Sequence, residues 1–200
     1  MAVAPVGVSS NTIKHWLSIL EASFLVYKLP PYFDNFGKRV IKSPKYYFTG
    51  TGSLSFLLEI ESAAQVARDP LLGHLVENMV VLDFAKNLFN QGKLASLYFN
   101  RDSNGLEADL LFQQGRNLIP MEIPSSSTYK PELHQDMKRI CGLSLHTHKA
   151  YLVYAGDPFA FSDGISAVRF DTLKISLYLA LLHMFDICQS TTRLKLTHRF

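Results

Sequence analysis

The stretch GLEADLLFQQGRNLIPMEIP, residues 105–124, decides the fold. It reads as two strands joined by a turn at Gly115. The first carries Glu107 and Asp109 beside Leu110, Leu111 and Phe112, and the second carries Glu122 between Met121 and Ile123. Carboxylates set among strand apolars require compensation, because an unpaired buried carboxylate is costly. Residues i and i+2 of a strand face the same side. Glu107 and Asp109 therefore share a face, as do Glu122 and Pro124, and pairing of the strands brings Asp109 and Glu122 to one end of the sheet.

The flanking chain supplies the layers such a hairpin needs. Upstream, Asp69-Pro70 opens a long helix through LLGHLVENMVVLDFAKNLFNQ, with Leu72, Val76, Met79, Val80 and Phe84 on its buried face and Gly92 as its stop. Glu77 lies three residues after His74, so the two share a side. Such a pair is ordinarily a capping or surface contact, and Glu77 gains weight only if the later carboxylates lie against it. Residues 96–101 read as a strand and 102–105 as a turn. Beyond the hairpin, SSSTYKPEL starts a helix carrying Leu133, Met137, Ile140 and Cys141. KAYLVYAG (149–156) is a buried strand, DPFAFSDG a loop and ISAVRF (165–170) a further strand. The expected class is α/β, an α+β arrangement with a mixed sheet.

The amino-terminal part differs in character. Ser9, Ser10 and Asn11 offer N-caps for TIKHWLSILEASF, whose Ile13, Leu17, Leu20 and Phe24 recur at helical spacing. FLVYKL (24–29) is strand-like and Pro30-Pro31 ends it. Lys38, Arg39, Lys42 and Lys45 then crowd into eight residues, with Val40-Ile41 and Tyr46-Tyr47-Phe48 as short strands about a Ser43-Pro44 turn. A helix followed by a basic hairpin is the layout of a winged helix-turn-helix. One reading puts Asn11, Lys14 and His15 near DNA and the hairpin lysines and Arg39 on phosphates. The other is a solvated basic hairpin packed on a structural helix. The supporting helix of such a module is expected to be missing, since few residues precede Ser9. Residues 49–69 mix turn residues, a short apolar segment (SLSFLLEI) and a linker, ESAAQVARD, with a boundary near 60–69. The expected division is 1–62, 63–170 and a helical tail, 171–200, apolar nearly all round before a basic end.

Two hundred residues with net charge +3 and a mean hydropathy of +0.07 describe a globular chain, and 14 Phe and 9 Tyr argue against extensive disorder. The charge permits nucleic-acid contact without demanding it. Cys141 and Cys188 form neither a CxxC nor a Cys/His cluster, so structural zinc and a disulfide scaffold are unsupported. The N-terminus lacks a secretory pattern, and residues 175–188 are interrupted by His183 and Asp186 and short for a membrane span. A cytoplasmic protein is expected.

Glu77, Asp109 and Glu122 are the oxygen donors that Mg²⁺ takes. Such an ion lowers the pKa of bound water and stabilises charge on phosphate. The pattern of Glu, then Asp, then Glu-x-Lys on a helix-plus-sheet core resembles the PD-(D/E)xK nuclease superfamily. From about Val8 to Phe170 the chain also resembles the C-terminal region that follows the ATPase module in a family of prokaryotic AAA+ ATPases. The matching stretches are SSNTIKHWLSILEASFLVYKLPPYFDNFGKRVIKSPKYYFTGTG, DPLLGHLVENMVVLDFAK, YFNRDSNGLEADLL and LIPMEIPSSSTY. The resemblance implies a partial winged-helix-like segment before a nuclease-like core, with Glu77, Asp109 and Glu122 as metal ligands and Asp109 and Glu122 catalytic.

The chain departs from that family at informative places. It has no GxxxxGK[ST] phosphate loop, so no nucleotide cofactor or ATPase activity is expected. The family reads Glu-Ile-Lys-Ser-Ser where this chain has Glu122-Ile123-Pro124-Ser125-Ser126, and Thr49-Gly50-Thr51-Gly52 replaces its usual aspartate. Proline carries no ammonium and removes a ladder N–H. Loss of one positioned electrostatic group costs about 10²–10³ in rate. Lys130 is the nearest substitute. The expectation is a truncated, catalytically impaired relative that binds DNA, an ATPase partner or itself, the last two through its tail. An active Mg²⁺-dependent nuclease and a pure protein-interaction module are the alternatives.

Overall fold

Local periodicity builds the central hairpin as expected. In the structure, a computed structural model, β4 (Glu107–Gln114) and β5 (Asn117–Glu122) pair antiparallel about Gly115, whose φ of +61° suits glycine in a tight turn. The described residues are 7–32, 43–102, 106–124, 126, 128–144, 146–147 and 149–170. The tail 171–200 and the lysine-bearing stretch 33–42 lie outside them.

Strand β3 (Leu97–Arg101) pairs with β4 on the other side of the hairpin. Beyond β5, helix α5 (Pro131–Cys141) crosses to β6 (Ala150–Tyr154), which runs parallel to β5. A parallel return requires such a crossover. Strand β8 (Ile165–Arg169) is parallel to β6, and the two-residue β7 (Phe159–Ala160) lies antiparallel on β8 where a loop was expected. The six strands lie in the order β3-β4-β5-β6-β8-β7. The molecule is thus mixed α/β with a mixed sheet.

Two clusters cover the sheet. Helix α4 (Leu72–Asn90) presses Val80, Val81, Phe84 and Leu88 onto one face with Leu110, Phe112, Ile119 and Met121. Helix α5 presses Met137 and Ile140 onto the other, with Ala108, Leu111 and Leu152. Strict alternation fails once. The β3–β4 register shifts between Tyr98 and Asn100, a bulge in β4 opposite Phe99. Because of it Asp109 and Leu110, consecutive in sequence, both lie on the α4 side, with Leu110 in the core and Asp109 beside Glu77.

The amino-terminal part contributes to the same core. Helix α1 (Ser10–Ala22) is capped by the Ser9 side chain, as its sequence predicts. It has no buried residue, and Ile13, Trp16 and Ile19 are 39%, 51% and 49% exposed. Strand β1 (Val26–Leu29) pairs antiparallel with β2 (Lys45–Phe48), so the partner of β2 is β1, and Val40-Ile41 lie outside the described residues. Leu29 and Tyr47 join the α4-side cluster, and Pro31 bridges to Phe99 of β3. The apolar segment and linker expected over 49–69 contain two short helices, α2 (Thr51–Leu57) and α3 (Ala63–Val66), the latter with a Ser62/Gln65 capping box. No helix among the described residues is long and apolar enough to cross a membrane.

Helix α1 ends with Phe24 at φ +56°, and the Leu25 N–H donates to Leu20 O at 2.9 Å, a Schellman arrangement that favours glycine. Phe24 is 83% exposed, so its ring buries little in return. Phe24→Gly is expected to raise unfolding free energy by on the order of 1 kcal/mol, by relieving the left-handed strain. Chemical denaturation of the two proteins checks it; an unchanged or lower midpoint would count against the strain argument.

Candidate functional site

The site is assembled where β2 meets the start of α4. Asn78 is buried in α4, and its amide grips the β2 backbone as a neighbouring strand would. Its Oδ1 accepts from the Phe48 N–H at 2.8 Å, and its Nδ2 donates to Phe48 O at 3.0 Å. Lys86 adds a bond from its ammonium to Thr49 O at 2.7 Å. With the backbone so held, Lys45 and Tyr47, two apart on β2, both reach Glu77. The Tyr47 hydroxyl donates to Glu77 Oε1 at 2.6 Å and Lys45 Nζ donates to the same oxygen at 2.8 Å.

Lys45 is the hub of the cluster. Its Nζ also lies 3.0 Å from Glu107 Oε1 and 3.3 Å from Asp109 Oδ1, and it stands over the Phe99 ring at 5.4 Å. Asp109 Oδ2 accepts from the Ile123 N–H at 3.0 Å, and Arg101 Nε approaches Glu107 Oε2 at 3.4 Å. Exposed His74 reaches Glu77 Oε2 only at 3.9 Å. These groups floor a cleft of about 580 Å³, whose other wall is apolar, with Leu54, Leu58, Leu71 and Leu75.

The expected residues fall into distinct places. Glu77 and Asp109 come together, joined by Glu107. Glu122 follows Met121, whose pairing with Leu110 is the last of the β4–β5 ladder, and the Asp109 backbone N–H donates to its carboxyl group. Its neighbours Met121 and Ile123 both pack into the α4-side cluster, and Glu122 lies near enough to Asp109, Glu107 and Lys45 for their charges to act on it. Glu122 Oε2 is buried and has no hydrogen-bond partner among the described residues. Lys45, expected on a phosphate, is engaged by the carboxylates instead. Lys130 is exposed at the N-cap of α5, and Asn11 and Lys14 are exposed on α1. Lys38, Arg39 and Lys42 lie outside the described residues.

Burial and crowding shape the charges. Burial alone would lower the Lys45 pKa, but Asp109, Glu77 and Glu107 reverse this and raise it, so the ammonium stays charged. Burial and then Glu77 raise the Tyr47 phenol, keeping it a donor. Burial and then Glu77 hold Asp109 above the ordinary carboxylate range despite Lys45. Glu122 is pushed up to about 9, first by burial and then by the charges of Asp109 and Glu107. A neutral Glu122 is thus the form that the fold favours at neutral pH.

The donor set does not fit a divalent ion as it is arranged. The point shared by Glu77, Glu107 and Asp109 is filled by an ammonium at hydrogen-bonding distances. With Lys45 in place, no three or more His, Cys, Asp or Glu among the described residues are arranged to hold a metal ion. The sequence reading missed Asn78 and Tyr47. An amide beside Glu77, at the head of the apolar run Met79–Leu82 of α4, was the available signal for the first.

Two variants test this construction. Asn78→Leu keeps the volume but leaves the N–H and C=O of Phe48 without the amide, and should cost about 1–3 kcal/mol of stability. Glu122 binds its proton more tightly folded than unfolded. Its contribution is therefore fully present below the unfolded pKa of about 4.5 and is lost as pH rises toward the folded value of about 9. Glu122→Gln should flatten the fall in stability across that window and stabilise the protein at its upper end. Parallel slopes in thermal melts of the two proteins would refute this.

Comparison with known proteins matches two parts of the chain. A family model described as a domain of unknown function, DUF4143, matches residues 72–173, and a second, DUF8612, matches residues 2–64. The uncharacterized proteins Rv2008c of Mycobacterium tuberculosis and Mb2031c of Mycobacterium bovis are each 31% identical to the chain over 167 residues. The match covers 83% of this chain and 36% of each relative, so the chain spans about a third of their length. With its sheet, both packing helices and the acidic side of its cleft inside the first of these matches, the chain belongs to the DUF4143 family.

Proposed function

We propose that this chain is a nuclease-like α/β module, of the type found C-terminal to AAA+ ATPase modules, that binds DNA or a protein partner and has impaired catalysis. The observation that carries the reading is the acidic cleft itself. Glu77 of α4 and Asp109 of β4 converge there, and Pro124 follows β5 where a lysine would be needed. The element order helix α4, strands β3 to β5, helix α5, strand β6 supports a PD-(D/E)xK-like core. Helix α1 with the β1–β2 ribbon supports a partial winged-helix-like segment. The exposed apolar residues of α1 favour a partner over an isolated life.

A second reading, an active Mg²⁺-dependent nuclease, is favoured by one observation. Lys45 brings an ammonium to Asp109 and Glu77 from another strand, independently of residue 124.

Cleavage and binding assays with single- and double-stranded DNA separate the two. Wild-type protein should show no Mg²⁺-dependent cleavage, and Asp109→Ala should leave DNA affinity within about twofold. Binding through the 38–42 basic stretch should weaken steeply between low and moderate salt. Cleavage that Asp109→Ala abolishes would establish the second reading, and affinity flat with salt would point to a protein partner.

A further inference from the structure

We infer that the Lys45 ammonium stands in this centre where a divalent cation would otherwise be bound, so that the β1–β2 ribbon keeps the carboxylates closed to metal. The inference rests on reading the carboxylates as a cation-binding frame. It goes beyond that reading by naming what fills the frame and what holds the filler in place.

Stoichiometry is the first argument. An ammonium has three N–H donors and no acceptor. Lys45 has three carboxylate oxygens within reach, at 2.8, 3.0 and 3.3 Å, one each from Glu77, Glu107 and Asp109. The contacts to Glu77 and Asp109 are hydrogen bonds and that to Glu107 is an ion pair, so the ammonium is turned to the carboxylates rather than to a phosphate. These three residues come from α4, from the paired part of β4 and from its bulge, and no bonding between them other than through a cation would hold their charges together.

The second argument is that most of the remaining oxygens are already engaged. Asp109 Oδ2 takes the Ile123 N–H and Glu107 Oε2 faces Arg101, while Glu77 Oε1 takes the Tyr47 hydroxyl as well as Lys45 and Glu77 Oε2 has His74 at 3.9 Å. A Mg²⁺ ion requires near-octahedral oxygens at about 2.0–2.1 Å. It would have to draw these groups inward while standing against the Lys45 charge. Metal and ammonium therefore exclude one another.

The third argument is that Lys45 is held rather than merely present. Its strand is fixed by the paired Asn78–Phe48 bonds and by Lys86 on Thr49 O, both anchored in the helix that carries Glu77. Lys45 and Tyr47 thus enter the centre together on one backbone. Removing the ammonium alone leaves the frame, the latch and the tyrosine in place.

The experiment titrates Mn²⁺ and Mg²⁺ calorimetrically into the full chain as wild type, Lys45→Met and Tyr47→Phe. Wild type and Tyr47→Phe should give no saturable isotherm at millimolar metal, and Lys45→Met should gain one site per chain, at least tenfold tighter. A folded Lys45→Met that takes up no metal, or a wild type that binds as well as the variant, overturns the inference. An equal gain in Tyr47→Phe overturns it too, because general loosening would then explain the uptake. If Lys45→Met does not fold, millimolar Mg²⁺ should restore its circular dichroism while NaCl of equal ionic strength does not; no restoration also overturns it. Cleavage by a Lys45→Met/Pro124→Lys double variant bears on the nuclease-like reading separately. Metal uptake without cleavage keeps this inference and removes that reading.

Discussion

A charge taken out of water must find an opposite charge, and the architecture around α4 and β4 follows from that requirement. Three carboxylates lie close together in a partly buried cleft. Each is 14–23% exposed at its side chain, too little for water alone to screen their repulsion. Lys45 resolves the conflict, and it can do so only because β2 is laid against the helix. The ribbon is therefore as much a part of the acidic centre as the strands that carry the acids.

The elements legible in the sequence were those whose signals are local. The 105–124 hairpin, the long helix through 72–90 and the helix beginning at Pro131 follow from alternation, helical spacing and capping residues within a few positions of one another. The pairing of β2 was not legible, because its partner lies some sixteen residues upstream and the intervening turn signal at Ser43-Pro44 suggested a nearer one. Two short helices over 51–66 were read as an apolar segment and a linker, since neither is long enough to show a period. The site was half visible. Glu77 and Asp109 announced themselves as charges in apolar runs, but Lys45 looked like one more basic residue in a basic stretch, and only tertiary packing distinguishes it from its neighbours.

The bulge in β4 accounts for a further gap between pattern and structure. A regular strand would have sent Asp109 and Leu110 to opposite faces. The extra residue lets the carboxylate line the cleft while the leucine next to it closes the core and begins the pairing with β5, so one strand serves a polar and an apolar purpose. Glu122 receives no such accommodation. It lies against the Asp109 backbone N–H, and the fold tolerates it by favouring its neutral form.

The grip of Asn78 on Phe48 also bears on how the chain can be divided. Two family models part it between residues 64 and 72, yet a side chain from one portion completes the backbone hydrogen bonding of the other. Lys45 belongs to the first portion and its three counter-charges to the second. A recombination event joining the second portion to a foreign leader would inherit an acidic surface with no cation of its own. The two portions are thus expected to travel through evolution as one heritable unit, whatever else is exchanged on either side.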